Sequence, residues 1–335
     1  MEARDGADEA QRFEVAPGDP RDRLDKLVVH LLERAGHASS RASVQRWIAA
    51  GRVLVDGAPA RASAAVPAGA HVEVRPEAPP PSSAAPDAGV AVPVVFEDAH
   101  LLIIDKPAGL VVHPARGHAT GTLVNGLLAL PGFERAPSDP RDPVGHVRPG
   151  IVHRLDKGTS GLMVVAKDAP TREGLKDLFS RHAIDREYVA IVAGAARDAT
   201  YDTLHGRHPT DRLRFTSRLH EGRRAVTRVR VLERLGDAAT LVSCSLETGR
   251  THQIRVHLAE QGGTPILADP LYGKPPKRPE IRAIAEELGR QALHARVLGF
   301  VHPASGAVVR WESPVPDDMT RALGRLRGLA TRSSI

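Results

Sequence analysis

Between residues 24 and 35 the apolar positions are Leu24, Leu27, Val28, Leu31, Leu32 and Ala35, a spacing that lays one apolar stripe along a helix. Gly36 supplies a stop, Ser39 or Ser40 offers a cap, and Val44, Trp47 and Ile48 mark the apolar side of a second helix ending at Gly51. The pattern then changes period. Arg52 to Gly57 reads as a strand entering a turn, and His71 to Arg75 as its return. Two helices and a hairpin thus define a small unit over residues 21–75. Before it, residues 1–20 carry six acids against two arginines and no apolar core, which predicts a disordered tail. After it, residues 76–93 are rich in proline with little to bury, and read as a linker.

From residue 94 to 325, short β-rich runs alternate irregularly with fewer helices, the latter at about Leu123–Leu130, Thr171–His182, Thr251–Gln261 and Glu280–Leu288. An irregular order favours an α+β domain on a mixed, largely antiparallel sheet with flanking helices over a doubly wound one. Residues 326–335 are left as a C-terminal tail. With 335 residues the chain has room for two domains. Its longest apolar runs are about seven residues, far short of the ~18 that a membrane helix needs.

Charge narrows the partner. Lys plus Arg number 46 against 40 acids, and arginine dominates, which suits a polyanion because guanidinium binds phosphate bidentately at any working pH. Aromatics make up only 3% of the chain, arguing against stacking rows as the means of binding. The 21–75 unit holds nine basic and five acidic residues, with Arg41, Arg46 and Arg52 grouped around its second helix. A single cysteine, Cys244, excludes an internal disulfide and points to a reducing, cytoplasmic setting. No dinucleotide fingerprint, P-loop or zincin motif occurs, and Gly158-Thr159-Ser160-Gly161-Leu162 lacks the second glycine of a nucleophile elbow.

Two dense polar segments remain. Gly150 to Gly161 forms a loop running into the apolar strand Leu162–Ala166, with Asp156 at its tip between Arg154 and Lys157. A carboxylate kept ionised there by a cation can serve as nucleophile or base; it can equally cap the turn and pair with Arg154. Leu246 to Leu258 reads as strand, glycine turn and helix, with Thr251 placed to cap and Arg255 one turn inside. An arginine delivered from a helix start can meet the loop carboxylate, or else grip a phosphate.

The motifs "GIVHRLDKGTSGLMVVAKD" and "ETGRTHQIRVHLAEQGGTPILADPLYG", with "DKPAGLVVHP" before and "QALHARVLGFVHPASG" after, resemble the RluA-type pseudouridine synthases over residues 94–318. The N-terminal unit resembles the α-L RNA-binding motif domain through "RLDKLV…SRASVQRWIAAGRVLVDG", and the whole looks most like the subgroup acting on large-subunit ribosomal RNA. The resemblance implies Asp156 as the catalytic aspartate, Arg255 as the arginine that pairs with it, and Tyr188 as the tyrosine at the target base. It implies Arg154 as an arginine that helps place a flipped nucleotide. Thr159 and His252, from the same two motifs, complete the expected substrate-binding set. RNA backbone contacts would fall on Arg41, Gln45, Arg46 and Arg52. Neither metal nor cofactor is implied, and the expected partner is large-subunit ribosomal RNA or a pre-ribosomal particle, bound by a monomer with no membrane involved. A transfer RNA synthase of the same family and a non-catalytic RNA-binding assembly factor stand as alternatives. Gly158 departs from the family, where many relatives carry an acid, and the loop near Gly262 is one residue longer.

Overall fold

The computed structural model describes residues 10–37, 41–76, 84–114, 120–131, 133 and 150–332. The chain divides into two compact units, Met1–Ser82 and Ser83–Ile335. In the first, β1 (Gln11–Glu14), α1 (Leu24–Arg34), α2 (Arg41–Ala49), β2 (Val53–Val55), β3 (Ala58–Pro59) and β4 (His71–Val74) follow in order. The strands form an antiparallel sheet in the order β1-β4-β2-β3. The predicted stripe of α1 is buried at Leu24, Leu27, Val28, Leu31 and Leu32, against Val44, Trp47 and Ile48 of α2 and Val72 and Val74 of β4.

The expected disordered tail needs correcting from residue 10 onward. Gln11, Phe13 and Val15 alternate with exposed Arg12 and Glu14, and β1 pairs with β4 with Phe13 opposite Val72. Acidic composition concealed this short period-two alternation. The candidate caps Ser39 and Ser40 lie outside the described residues.

The second unit runs β5 (Val94–Glu97), β6 (Leu101–Lys106), α3 (Leu123–Leu128), β7 (Ser160–Ala166), α4 (Ala169–Ser180), β8 (Asp185–Ala193), β9 (Ala199–Arg207), β10 (Phe215–Thr216), β11 (Arg223–Leu235) and β12 (Ala239–Leu246). It continues with α5 (Gln253–Val256), extended by a π turn over His257–Gln261, then α6 (Pro279–Leu288), β13 (Leu293–Val301), β14 (Val308–Glu312) and α7 (Asp317–Arg332). Among the described residues the strands make one ten-stranded sheet, ordered β10-β9-β11-β12-β8-β13-β7-β6-β5, with β14 on β13. Only β13 and β7 pair in parallel, so the fold is α+β on a largely antiparallel sheet, as the irregular element order implies.

Side-chain alternation sends successive residues of β6 and β7 into two cores. Leu102, Ile104, Met163 and Val165 pack with α3, α6 and α7, while Leu101, Ile103, Leu162, Val164 and Ala166 pack with Leu175 and Leu178 of α4. All seven residues of β7 are buried.

Two boundaries shift. The second half of the proline-rich segment lies on the second unit: Asn125 Nδ2 donates to Ala85 O at 2.8 Å and Asp87 N donates to Asn125 O at 2.9 Å. Gly126 permits that approach, since a Cβ there would stand 2.7 Å from Val92 Cγ2 and 2.8 Å from Val90 O. At the other end, the tail expected from residue 326 continues α7 to Arg332, because Met319, Leu323 and Leu326 form a buried helical stripe.

Candidate active site

Asp156 stands in the loop that leads into β7, and three sets of bonds fix that loop. Thr159 N donates to Asp156 O at 3.0 Å, closing the turn, and Gly109 N donates to Lys157 O at 2.8 Å. Lys106, fully buried at the end of β6, donates its ammonium hydrogens to Pro107 O (2.8 Å), Leu110 O (2.9 Å) and Lys157 O (3.3 Å). Burial pushes the Lys106 amine down to about 7, and the negative charge of Asp156 works against that fall. Gln291 Nε2 donates to Thr159 Oγ1 at 3.2 Å and fills the space beside Gly158, where a Cβ would stand 2.4 Å from Gln291 Oε1. A bare glycine at this position therefore fits its neighbour.

The cation opposite Asp156 is Arg255 of α5. Its Nη1 donates to Asp156 Oδ2 at 2.8 Å, while Nε and Nη2 grip Asp269 Oδ2 and Oδ1 at 2.7 and 2.9 Å. Asp269 also accepts from Leu271 N and Tyr272 N. The guanidinium is thus held by a fork on one edge and presents the other to Asp156. Burial would lower the pKa of Arg255, and the two carboxylates more than reverse this, raising it. Asp269 moves the opposite way: burial raises it, and Arg255 overcomes this to hold it below the ordinary value. The pairing of Arg255 with Asp156, and not of Arg154 with Asp156, is the observed geometry.

α5 does not begin at Thr251 with a side-chain cap. His252 occupies the N-cap position at φ +59°, and the turn is tied by Gln253 Oε1, which accepts from Arg250 N at 3.0 Å and Thr248 Oγ1 at 2.7 Å. The left-handed backbone at a histidine costs of order 1 kcal/mol and aims its ring at the site. His252 Nδ1 meets Tyr272 Oη at 2.9 Å and Nε2 lies 3.9 Å from Asp156 Oδ2. Tyr272 Oη also accepts from Phe215 N at 2.8 Å. Burial lowers the His252 pKa, with Asp156 opposing, so the ring is neutral near pH 7.

Tyr188 and Arg186 project to the same side of β8, two residues apart. Burial raises the pKa of the Tyr188 phenol, and neighbouring Arg186 counters in part. Arg154, Asp156, Thr159, Tyr188, His252 and Arg255 all line one pocket of about 370 Å³, so the candidate catalytic and substrate-binding residues converge. Among the described residues no group of three or more His, Cys, Asp and Glu is arranged to hold a metal ion.

In the N-terminal unit, Arg41 Nε and Gln45 Nε2 donate to Asp25 Oδ2 at 3.0 and 2.6 Å, joined by Arg23 on the same buried carboxylate. These two candidate RNA contacts therefore also carry a structural bond, while Arg41 stays about half exposed at 49%. The backbone of Arg46 is in α2, but its side chain lies outside the described part. Arg52 is half-buried at the start of β2.

Sequence reasoning did not single out Asp269, Tyr272, Lys106 or Arg186. Asp269 and Tyr272 carried a signal, an acid before Pro270 in a turn three residues from a tyrosine, but nothing local tells that this turn closes on Arg255. Lys106 lies in the quoted motif "DKPAGLVVHP", but nothing in that motif tells that its ammonium is buried against the loop of Asp156.

The RNA pseudouridylate synthase family model matches residues 100–260, and the S4 domain model matches residues 22–72. A Xanthomonas campestris pv. campestris protein named ribosomal large subunit pseudouridine synthase D is 44% identical over 302 residues, covering 88% of this chain and 87% of its own. The chain belongs to the RNA pseudouridylate synthase family. A Nitrosomonas europaea protein of the same name is 42% identical to the synthase over 92% of this chain and 85% of its own. The structure of human RNA pseudouridylate synthase domain containing 4 superposes on the synthase with a TM-score of 0.53 at 27% identity, covering 70% of this chain and 93% of that one. The family match spans the segment that holds Asp156, Tyr188 and Arg255.

Proposed function

We propose that this synthase converts uridine to pseudouridine in large-subunit ribosomal RNA, free or within a pre-ribosomal particle, with Asp156 as the catalytic residue. The observation that carries the reading is the Asp156 carboxylate, 18% exposed, bonded to Arg255 at 2.8 Å in a pocket that it shares with Tyr188, Arg154 and His252. A uridine reaches it only after leaving its stack. The isomerisation breaks the N–C glycosidic bond, turns the base and joins it again through carbon, so no electrons or phosphoryl groups are exchanged. One ionised carboxylate suffices, either adding to ribose or base as a nucleophile or removing a ribose proton as a base.

In this reading Tyr188 faces the target base, and Arg154, Thr159 and His252 help hold the nucleotide. Arg41, Gln45, Arg46 and Arg52 of the S4 unit add backbone contacts. The enzyme works as a monomer in the cytoplasm. Among the described residues no helix is long and apolar enough to cross a membrane.

The test is Asp156→Asn, nearly isosteric but unable to act as an anion. Pseudouridine formation should vanish while RNA affinity shifts by less than about 1 kcal/mol, since phosphate contacts carry most of it. Residual turnover within about tenfold of wild type rejects the assignment, because a general base or nucleophile contributes more than that. Mapping pseudouridines in ribosomal and transfer RNA of a deletion strain tests the substrate.

A further inference from the structure

Beside the pocket, a wider cleft of about 1840 Å³ is lined by Arg154, Arg186, Arg223 and Arg250, with Asp156 as the only acid among its lining residues. Several arginines elsewhere on this unit are matched to carboxylates, Arg224 to Asp202, Arg255 to Asp269, Arg290 to Asp318 and Arg327 to Glu233. In the cleft none of the four has a carboxylate partner among the described residues.

Arg186 is the anomaly. It is only 7% exposed, its Nε is buried with no hydrogen-bond partner, and Nη2 reaches just two carbonyls, Leu246 O at 3.5 Å and Glu247 O at 3.3 Å. An arginine withdrawn from water without a counter-ion is costly. Burial accordingly lowers its pKa. Two features keep it there. Its guanidinium lies 5.3 Å from the centre of the Phe179 ring, a cation–π contact. Gly249 leaves the space it occupies, since a Cβ on Gly249 would stand 2.8 Å from Arg186 Nη1.

We propose that Arg186, cradled by Phe179 and Gly249, is a preformed site for one phosphodiester of the RNA next to the target nucleotide, with Arg154, Arg223 and Arg250 around it. The inference rests on the reading that RNA is the substrate, and adds to it a phosphate anchor from motifs that otherwise position the base. Arg186 and Tyr188 share one face of β8, so the same strand grips backbone and base, fixing the distance between them. A guanidinium with unfilled donors is organised in advance for an anion that arrives with its own charge.

The experiment uses the full chain and a synthetic RNA hairpin containing the uridine that the wild type modifies. Phosphates flanking that uridine are replaced one at a time by neutral methylphosphonates, and single-turnover rates are followed against enzyme concentration. One replacement should raise the half-saturating concentration for wild type by about ten- to a hundredfold, the strength of a charge-assisted bond. Arg186→Met should show that same weakening with unmodified RNA and no further loss at the sensitive phosphate, its saturating rate being retained. Gly249→Ala, which keeps the arginine but displaces it, should behave alike. In urea, Arg186→Met should be as stable as wild type or more so, because it removes an uncompensated buried charge. A merely structural guanidinium predicts a less stable variant, and that result overturns the proposal. So does a loss that adds to every methylphosphonate equally. If the wild type modifies no RNA, the functional reading itself falls and the anchor with it. Wild-type turnover with additive losses overturns the anchor alone.

Discussion

Replacing Arg255 by methionine keeps the length of the side chain and removes the charge that two carboxylates share. Asp269 has no exposed side-chain surface, and its remaining donors are the backbone N–H groups of Leu271 and Tyr272. Leaving one member of a buried pair uncompensated costs about 3 to 5 kcal/mol. For a unit of this size that lowers the melting temperature by roughly 6 to 20 °C. The charge origin of the loss has a pH signature. In the wild type Arg255 holds Asp269 below its ordinary value of 3.8, so the stability it contributes is complete above 3.8 and fades as pH falls through the lower folded value. In the variant burial prevails and Asp269 titrates above 3.8. Its penalty is then full at neutral pH and shrinks as pH falls from that raised value toward 3.8. Urea unfolding at about pH 8 and at about pH 4, just above the ordinary carboxylate value, should therefore show a wide gap between the proteins at the first and a narrower one at the second. The double variant Arg255→Met, Asp269→Asn should recover stability without activity. An equal gap at both pH values, or a double variant no more stable than the single, would refute the charge argument and leave lost packing as the cause.

Two further outcomes follow from particular contacts. Gly126→Ala drives a methyl group into Val90 O and Val92 Cγ2, and should destabilise the second unit by about 1 to 3 kcal/mol in thermal unfolding; an unchanged melting temperature would mean that the proline-rich segment does not rest on α3. Cys244 is fully buried on β12 and burial pushes its thiol up to about 12, so iodoacetamide should leave the native enzyme unlabelled near pH 8 and label it on unfolding, a ready report of opening that prompt native labelling would contradict.

Much of the arrangement was written in local pattern. The α1 stripe, the antiparallel strands β2 and β4, and the buried run of β7 each follow from periodicity that a neighbour need not supply, although the short β3 between β2 and β4 was not foreseen. The two polar segments announced themselves because dense charge in a glycine turn beside an apolar strand is rarely mere surface. What escaped was non-local. β1 is a strand only because β4 offers it an edge. Residues 84–93 are ordered only because Gly126 and Asn125 receive them. Asp269 matters only because the chain returns, fourteen residues later, to the guanidinium of Arg255. Nothing in the sequence marks Arg186; that it lacks a counter-ion is knowable only once every neighbour is in place.

The burial of β7 on both faces has a consequence for motion. The loop carrying Asp156 ends where that strand begins, and side chains from the strand are keyed into two cores at once. Displacing the backbone of this loop at its β7 end works against both packed layers at once, so opening there belongs with the better-protected motions of the unit. The end of the loop nearest β7 is thus held in register with Arg255 by the sheet itself, and native-state hydrogen exchange at the β7 amides should be among the slowest of this unit.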